Sequence, residues 1–194
     1  MGNTASNVSA GKPKVGGSIY YGPTTATLPT TATATLGSDF KCVGYIGEDG
    51  LKNEITRESE DIKAWGGDTV LNPQTSFGET FGFKLIEALS VDVLKAVHGD
   101  DAVTGTALSS GISVAVGSDE LPEKAWVVDM NMSGGALKRI VIPVAKITEV
   151  GEIVYSDSEA IGYDVTLTAH PDSASKYSYE YLQTPTTTSS TSSK

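Results

Sequence analysis

Apolar and polar residues alternate with a period of two in several stretches of this sequence, a spacing that fits strands rather than helices. The alternation runs through residues 77–85, 161–169 and 177–181, and Trp126, Val128 and Met130 define one apolar face of a further strand, residues 126–130. The chain holds 22 Thr and 21 Gly among its 194 residues, and these types favour strands and turns respectively. The pattern therefore predicts antiparallel strands, most of which bury one face.

Other segments complete the predicted elements. Residues 112–116 predict a strand that pairs as a hairpin with residues 126–130. In the middle of residues 138–150, odd- and even-numbered positions are both apolar, which is typical of a strand covered on both faces. Pro143 indicates that this strand lies at an edge or contains a bulge. Ser90 to Gly99 combines an N-cap, a first-turn acid and a terminating glycine, and so predicts the one helix.

These elements predict a mainly β protein, an antiparallel β-sandwich or partly open barrel with one flanking α-helix. A chain of 194 residues is most simply one domain. We expect that domain to span residues 15–183, after a flexible N-terminal arm of residues 1–14. Residues 184–194 are a low-complexity run rich in Thr and Ser, which predicts a disordered tail.

A charge-rich segment, residues 42–72, is predicted to project from the core as a long hairpin or loop. Acids outnumber bases in this segment. Asp49-Gly50 stands between the apolar runs 43–46 and 51–55, a strong signal for a hairpin turn. The simplest interpretation is a solvated surface hairpin.

Trp65 stands out in this segment because Gly66, Gly67 and Asp68 follow it directly. A tryptophan side chain buries a large area when a partner covers it. Two environments are open at this point. Trp65 either folds back onto its own domain or packs on a neighbouring subunit.

The charge balance argues against a protein that grips nucleic acid. The chain has 14 Lys and Arg against 24 Asp and Glu, for a net charge of −10. DNA-binding proteins neutralise phosphates with clustered bases, and the densest cluster here is the pair Lys138-Arg139.

Chemically reactive residues are few and scattered. The single Cys42 excludes an intramolecular disulfide framework and fits a reducing compartment. His98 and His170 lie far apart in sequence, so we expect no metal and no cofactor. Phosphate loops, nucleophile elbows and zincin motifs are missing, and we therefore expect no enzyme. The sequence has no run of 18 apolar residues and no signal-peptide core, so we expect no membrane span and synthesis in a cytoplasm.

An ordered set of short motifs resembles the major tail tube proteins of long, non-contractile-tailed bacteriophages. No one piece is specific, but the set covers most of residues 40–170. The motifs are Gly47-Glu-Asp-Gly50, Glu58-Ser-Glu-Asp-Ile-Lys-Ala-Trp-Gly-Gly-Asp68, Phe81-Gly-Phe-Lys-Leu-Ile-Glu87, Val93-Leu-Lys-Ala-Val-His-Gly-Asp100, Lys138-Arg-Ile-Val-Ile-Pro-Val-Ala-Lys146, Gly151-Glu-Ile-Val-Tyr155 and Ala160-Ile-Gly-Tyr163.

The resemblance implies two packed β-sheets flanked by a helix, in subunits that close into hexameric rings. The rings stack into a hollow tail tube in the virion, and phage DNA passes through it without specific binding. The implied partners are further copies of this chain and other tail proteins, such as the tape measure, tail terminator and distal tail proteins. Synthesis would take place in the bacterial host cytoplasm.

The resemblance also implies that a long hairpin loop and the terminal arms contact adjacent rings. The matching segment here is about residues 45–70. The candidate contact residues within it are Glu48, Asp49, Leu51, Ile55, Arg57, Trp65, Gly66, Gly67 and Asp68.

A second function stays open from the residues alone. A soluble β-sandwich that recognises a carbohydrate or a surface receptor would use an exposed aromatic residue for stacking. Trp65 and Trp126 are the two candidates for that residue.

Overall fold

A computed structural model describes residues 2–184, and strands make up most of its regular structure. The helix α1 spans Val91–His98, and two short 3-10 turns lie at Ala5–Asn7 and Leu108–Ser110. The strands are β1 (Gly11–Pro13), β2 (Ile19–Pro23), β3 (Lys41–Cys42), β4 (Lys52–Ser59), β5 (Ile62–Lys63), β6 (Thr69–Leu71), β7 (Gln74–Leu85), β8 (Val103–Thr104), β9 (Ser113–Val114), β10 (Lys124–Met132), β11 (Leu137–Val150), β12 (Tyr163–His170) and β13 (Tyr179–Gln183).

One antiparallel sheet dominates the described residues. Its strands follow the order β3-β2-β10-β11-β12-β7-β4, while β1 adds to β10 and β13 adds to β11. The sheet does not close into a barrel within residues 2–184. The predicted mainly β fold with one helix is confirmed.

Each face of the sheet carries its own hydrophobic cluster. Trp126 and Val128 of β10 face the larger cluster, which also contains the buried side of α1 with Val93 and Val97. Val127 belongs to a smaller cluster on the opposite face. Burial on both faces explains why β10 and β11 are apolar at both parities.

The long strand β11 changes partner near Pro143. Residues 137–141 pair with β13, and residues 144–150 pair with β12. The register against β10 also shifts between Lys124 and Trp126, opposite Pro143. Since proline has no N–H to donate, it lies where the ladder is interrupted. The predicted bulge is confirmed, whereas the alternative of an edge strand is wrong because β11 lies between β10 and β12.

The hairpin predicted from residues 43–46 and 51–55 is wrong. Ile46 forms a bridge to Leu85, and β4 pairs along its whole length with β7. The Asp49-Gly50 turn does form, and its Gly50 N–H donates a hydrogen bond to the Gly47 carbonyl at 3.0 Å. The residues before and after this turn do not pair with each other, because both stretches lie along the same edge of β7. The eight-residue ladder to β7 and the burial of Leu85 outweigh a short local hairpin.

The second predicted hairpin is also wrong. Within residues 112–116 only β9 forms, and it pairs with β8 rather than with residues 126–130. Both edges of β10 are already occupied by β2 and β11, so no edge is left for β9.

The two chain ends differ in what the structure describes. Within the predicted flexible arm, residues 11–13 form β1, and the Lys14 ammonium contacts the Asp129 carboxylate at 3.2 Å. Ser9 and Ala10 also hydrogen-bond to Ser133, so flexibility stays a prediction only for the residues before Ser9. The predicted disordered tail lies outside the described residues except for Thr184.

Candidate functional site

The most exposed part of the body is the long hairpin, residues 52–76, formed by β4, β5, β6 and the first three residues of β7. Every residue in it is exposed. Its two sides are joined by the ladder from Lys52, opposite Gly82, to Ser59, opposite Gln74. The exposed segment begins at Lys52 rather than at residue 42, because Val43 is fully buried in the core.

The hairpin tip, residues 60–73, is a small two-stranded unit with Trp65 at its apex. The Gly67 N–H donates to the Ala64 carbonyl at 3.0 Å, which makes Trp65 the second residue of a four-residue turn. Gly66 and Gly67 adopt φ values of 126° and 99°, a region that favours glycine. The two glycines that follow Trp65 therefore hold it at the outermost point of the hairpin.

Asp61 fixes the shape of the hairpin tip. One carboxylate oxygen accepts a hydrogen bond from Asn72 Nδ2 at 2.5 Å, and the other accepts one from Thr69 Oγ1 at 3.3 Å. The Ala64 N–H donates to the Asp68 carbonyl at 2.8 Å. The tip thus has a defined conformation in the single chain.

The hairpin carries a set of large apolar side chains that this chain leaves uncovered. Their exposed fractions run from 48% to 107%, the highest being Trp65. Large apolar side chains exposed singly are ordinary in soluble proteins, whereas several on one hairpin mark that hairpin as a candidate interaction site. The members of this set are Ile55, Ile62, Trp65, Val70 and Leu71.

The root of the hairpin is anchored to the segment before β13. The Phe77 and Tyr177 rings meet edge to face with centroids 4.6 Å apart, and the Arg57 guanidinium lies 4.7 Å from the Phe77 centroid. The buried Glu79 carboxylate accepts hydrogen bonds from Ser178 Oγ and from Asn53 Nδ2. These contacts fix the direction in which the hairpin leaves the body.

A second surface feature, the groove, lies at the open end of the larger core cluster. It encloses about 620 Å³ between β1, the even-numbered side chains at the end of β10, and the 46–51 loop. Its apolar lining includes Ile46, Leu51, Val128, Met130 and Met132.

The predicted contact residues fall on these two separate surfaces. Glu48, Asp49 and Leu51 lie at the groove. Ile55, Arg57, Trp65, Gly66, Gly67 and Asp68 lie on the long hairpin. Their role in subunit contacts stays a prediction.

Sequence reasoning missed Met130 and Met132 as surface candidates. They continue the even-numbered apolar face that begins with Trp126 and Val128, so in the sequence they cannot be distinguished from residues of the buried core. The available signal was the length of β10, whose apolar face extends beyond the part that α1 and its neighbours cover.

The two tryptophans have opposite environments. Trp126 is 1% exposed and packs against the rings of Tyr21 and Phe83, so it is not available for stacking on a ligand. Trp65 has 107% of its reference surface exposed, so the interpretation that it folds back onto its own domain is wrong.

The basic pair Lys138-Arg139 does not form a cationic surface. Arg139 is 1% exposed, and its guanidinium donates two hydrogen bonds to the Asp129 carboxylate at 2.5 and 2.7 Å. The Lys138 ammonium contacts Glu180 at 2.8 Å. Both charges are therefore matched by carboxylates within the chain.

The reactive residues remain apart in the fold. Burial lowers the pKa of His98. Its ring packs edge to face against the Tyr163 ring, with the two ring centroids 5.7 Å apart. Residues 2–184 bring together no group of three His, Cys, Asp or Glu side chains that would hold a metal ion. Within the same residues, no helix is long and apolar enough to cross a membrane.

Comparison with known proteins gives one result that spans the chain. A family model described as phage tail tube protein matches residues 2–192, a range that includes both the long hairpin and the groove. A search of the curated proteins found no match.

Proposed function

Because the chain belongs to the phage tail tube protein family, we propose that its copies close into hexameric rings that stack into a hollow tube for phage DNA. Family membership makes the chain a structural component of the virion tail and points to a non-enzymatic protein. The hexameric rings, their stacking and the passage of DNA are our proposal.

The observation that carries the proposal is the exposed apolar set on the long hairpin. An uncovered tryptophan at the apex of a braced tip has no stabilising role in the single chain. It becomes stabilising once another subunit covers it. We therefore assign the long hairpin to contacts between copies, including Ile55, Arg57, Trp65 and the turn residues that hold Trp65 in place.

The open edges of the sheet support assembly. Among the described residues, β4 ends the main path of the sheet and has β7 as its only partner strand. An exposed edge offers unpaired N–H and C=O groups to another chain. A head-to-tail contact between identical copies forms a ring when its rotation closes.

The charge distribution supports the passage of DNA. Each contact between a basic side chain and a phosphate adds a salt-dependent attraction that would slow the passage of DNA. A tube that conducts DNA therefore benefits from a wall with few unpaired Lys and Arg side chains. In the described chain, Lys14, Lys124, Lys138, Arg139 and Lys146 all contact carboxylates. We propose that the bore carries neutral or acidic side chains, and rings of inward-pointing Lys or Arg in an assembled tube would contradict this.

Further parts of the proposal follow from the family. We propose a tail of the long, non-contractile type, with the tape measure, tail terminator and distal tail proteins as partners. We also propose synthesis in the host cytoplasm and a single body domain preceded by a mobile N-terminal segment.

Shortening the long hairpin tests the proposal. Ser59 and Gln74 are cross-strand partners, so residues 60–73 are replaced by Asn-Gly, which supports a two-residue hairpin turn. We expect a folded body with unchanged thermal unfolding that forms no tubes in negative-stain images. Replacing exposed Leu108, outside the hairpin, by Ala serves as control and should leave tube formation unchanged. Tubes from the shortened protein at wild-type concentrations would contradict the proposed role of the hairpin.

A further inference from the structure

We infer that the groove of one copy receives the hairpin tip of a second copy, with Trp65 against Met130 and Met132. This inference rests on the proposed self-assembly and adds the surface that accepts the hairpin. Each chain carries one tip and one groove, so the contact joins different surfaces and propagates from copy to copy.

The groove has the chemistry to accept an indole ring. Its volume of about 620 Å³ lies within the range of clefts that hold ligands, roughly 300–1,000 Å³. Met130 and Met132 both line it. Methionine sulfur makes favourable contacts with aromatic rings, and its flexible side chain adapts to an incoming shape.

Gly11 leaves space in the groove because it has no side chain. A Cβ built at Gly11 would lie 3.5 Å from the Met130 sulfur and 3.6 Å from the Met132 sulfur. Any larger side chain at this position would therefore occupy space above the two methionines. Gly11 does not adopt a positive φ, so such a side chain fits the backbone without strain.

The charges of the two surfaces are complementary. The hairpin tip carries the acids Glu60, Asp61 and Asp68 with one base, Lys63. The N-terminal wall of the groove is formed by Gly11, Lys12 and Pro13, of which only Lys12 is charged, and Lys12 is exposed. The acidic tip is thus attracted to this wall.

The opposite wall sets the orientation of the tip. Glu48 and Asp49 lie on the loop side of the groove. An acidic tip turned toward that wall would bring like charges together, whereas Lys63 would be attracted to it. Charges of both signs on the two walls therefore favour a single docking direction.

Within one chain the tip does not use the groove. Trp65 is fully exposed although the same chain has an apolar groove of suitable size. The braced tip and the anchored root hold the hairpin in the extended direction. A second copy is therefore the occupant that the geometry favours.

Cross-linking between copies tests the docking directly. Cys42 is first replaced by Ser, and one subunit then carries Asp68→Cys while another carries Met132→Cys. The two are mixed, assembled and treated with a short bismaleimide. We expect a covalent dimer with one subunit of each kind, and a ladder when both cysteines are in one chain. Leu108→Cys in place of Met132→Cys is the control and should give no dimer.

The outcomes separate the two proposals. Tubes without cross-linking at the groove would overturn the docking and leave the tail-tube proposal standing. Unmodified protein that never forms tubes would overturn both. The specific dimer supports both.

A variant that fills the groove gives an independent test. Gly11→Leu should raise the critical concentration for assembly at least about tenfold, because a side chain then occupies the docking space. Gly37→Leu is the matched control, since a Cβ there meets nothing within 4 Å. Both variants should unfold at the wild-type temperature. Wild-type assembly by a folded Gly11→Leu protein would overturn the inference.

Discussion

At the residue scale, the buried pair of Arg139 and Asp129 ties three parts of the body together. The Arg139 guanidinium also donates hydrogen bonds to the carbonyls of Thr31 and Ala34, and the Lys14 ammonium contacts the Asp129 carboxylate. The pair therefore joins β10 and β11 to the 24–36 loop and to the N-terminal segment. Its consequence for stability can be measured by removing one partner.

We expect Asp129→Ala to lower the free energy of unfolding by about 3–5 kcal/mol, because it leaves a buried guanidinium without its carboxylate. Urea denaturation of the unassembled protein measures the change. Asp129→Leu combined with Arg139→Met removes both charges and should recover a large part of the loss. A double variant as unstable as the single one would show that the uncompensated charge is not the cause.

His98 provides a residue-scale prediction for pH. Burial lowers its pKa in the folded chain below the ordinary value of 6.5. As the pH falls through 6.5, the unfolded chain binds the proton first, so stability decreases until the pH passes the folded pKa. His98→Gln should therefore lose less stability than the wild type between pH 7.5 and 5.0, measured by urea midpoints. Equal losses in the two proteins would contradict the burial argument.

At the element scale, one-sided strands and the helix were predictable, whereas partner strands were not. The alternation at Phe81, Phe83 and Leu85 gives the buried face of β7 directly, and Val93 and Val97 give that of α1. Pairing depends on contacts between residues far apart in sequence. The Asp49-Gly50 turn therefore formed as predicted but did not close the expected hairpin.

The candidate site was predictable only in part for the same reason. The segment around Trp65 was recognisable because an aromatic residue followed by two glycines is unusual in a charged hairpin. The groove depends on β1 lying beside β10, a pairing that joins residue 11 to residue 132. Local patterns hold no information on such a contact, so Met130 and Met132 read as core residues.

The hairpin tip gives the element-scale prediction. Trp65→Ala removes a fully exposed side chain, so the thermal unfolding of the unassembled protein should stay the same. Assembly should weaken by about 1–4 kcal/mol if Trp65 is an anchor between copies. Sedimentation measures the critical concentration, and Val116→Ala, at another exposed apolar residue, is the control. A destabilised monomer with unchanged assembly would contradict the proposed anchor.

At the scale of the whole molecule, the net charge of −10 opposes the association of identical copies. The local attraction between the hairpin tip and Lys12 acts against this general repulsion. Since the general repulsion involves the larger number of charges, screening should favour assembly.

Added salt should therefore lower the critical concentration for tube formation. Raising NaCl from about 50 to 500 mM shortens the Debye length from roughly 14 to 4 Å and weakens repulsion between separated surfaces. Light scattering at several protein concentrations measures the effect. Weaker assembly at high salt would show that attractive ion pairs dominate the contacts.

The central claim is that copies of this chain build the wall of a tail tube around an open bore. Electron cryomicroscopy of tails isolated from virions, combined with an antibody against the body domain, tests it most directly. We predict label along the whole tail and a density map with six copies of this fold in each ring. A tail tube built from a different chain, with this protein present as single copies or missing, would contradict the account.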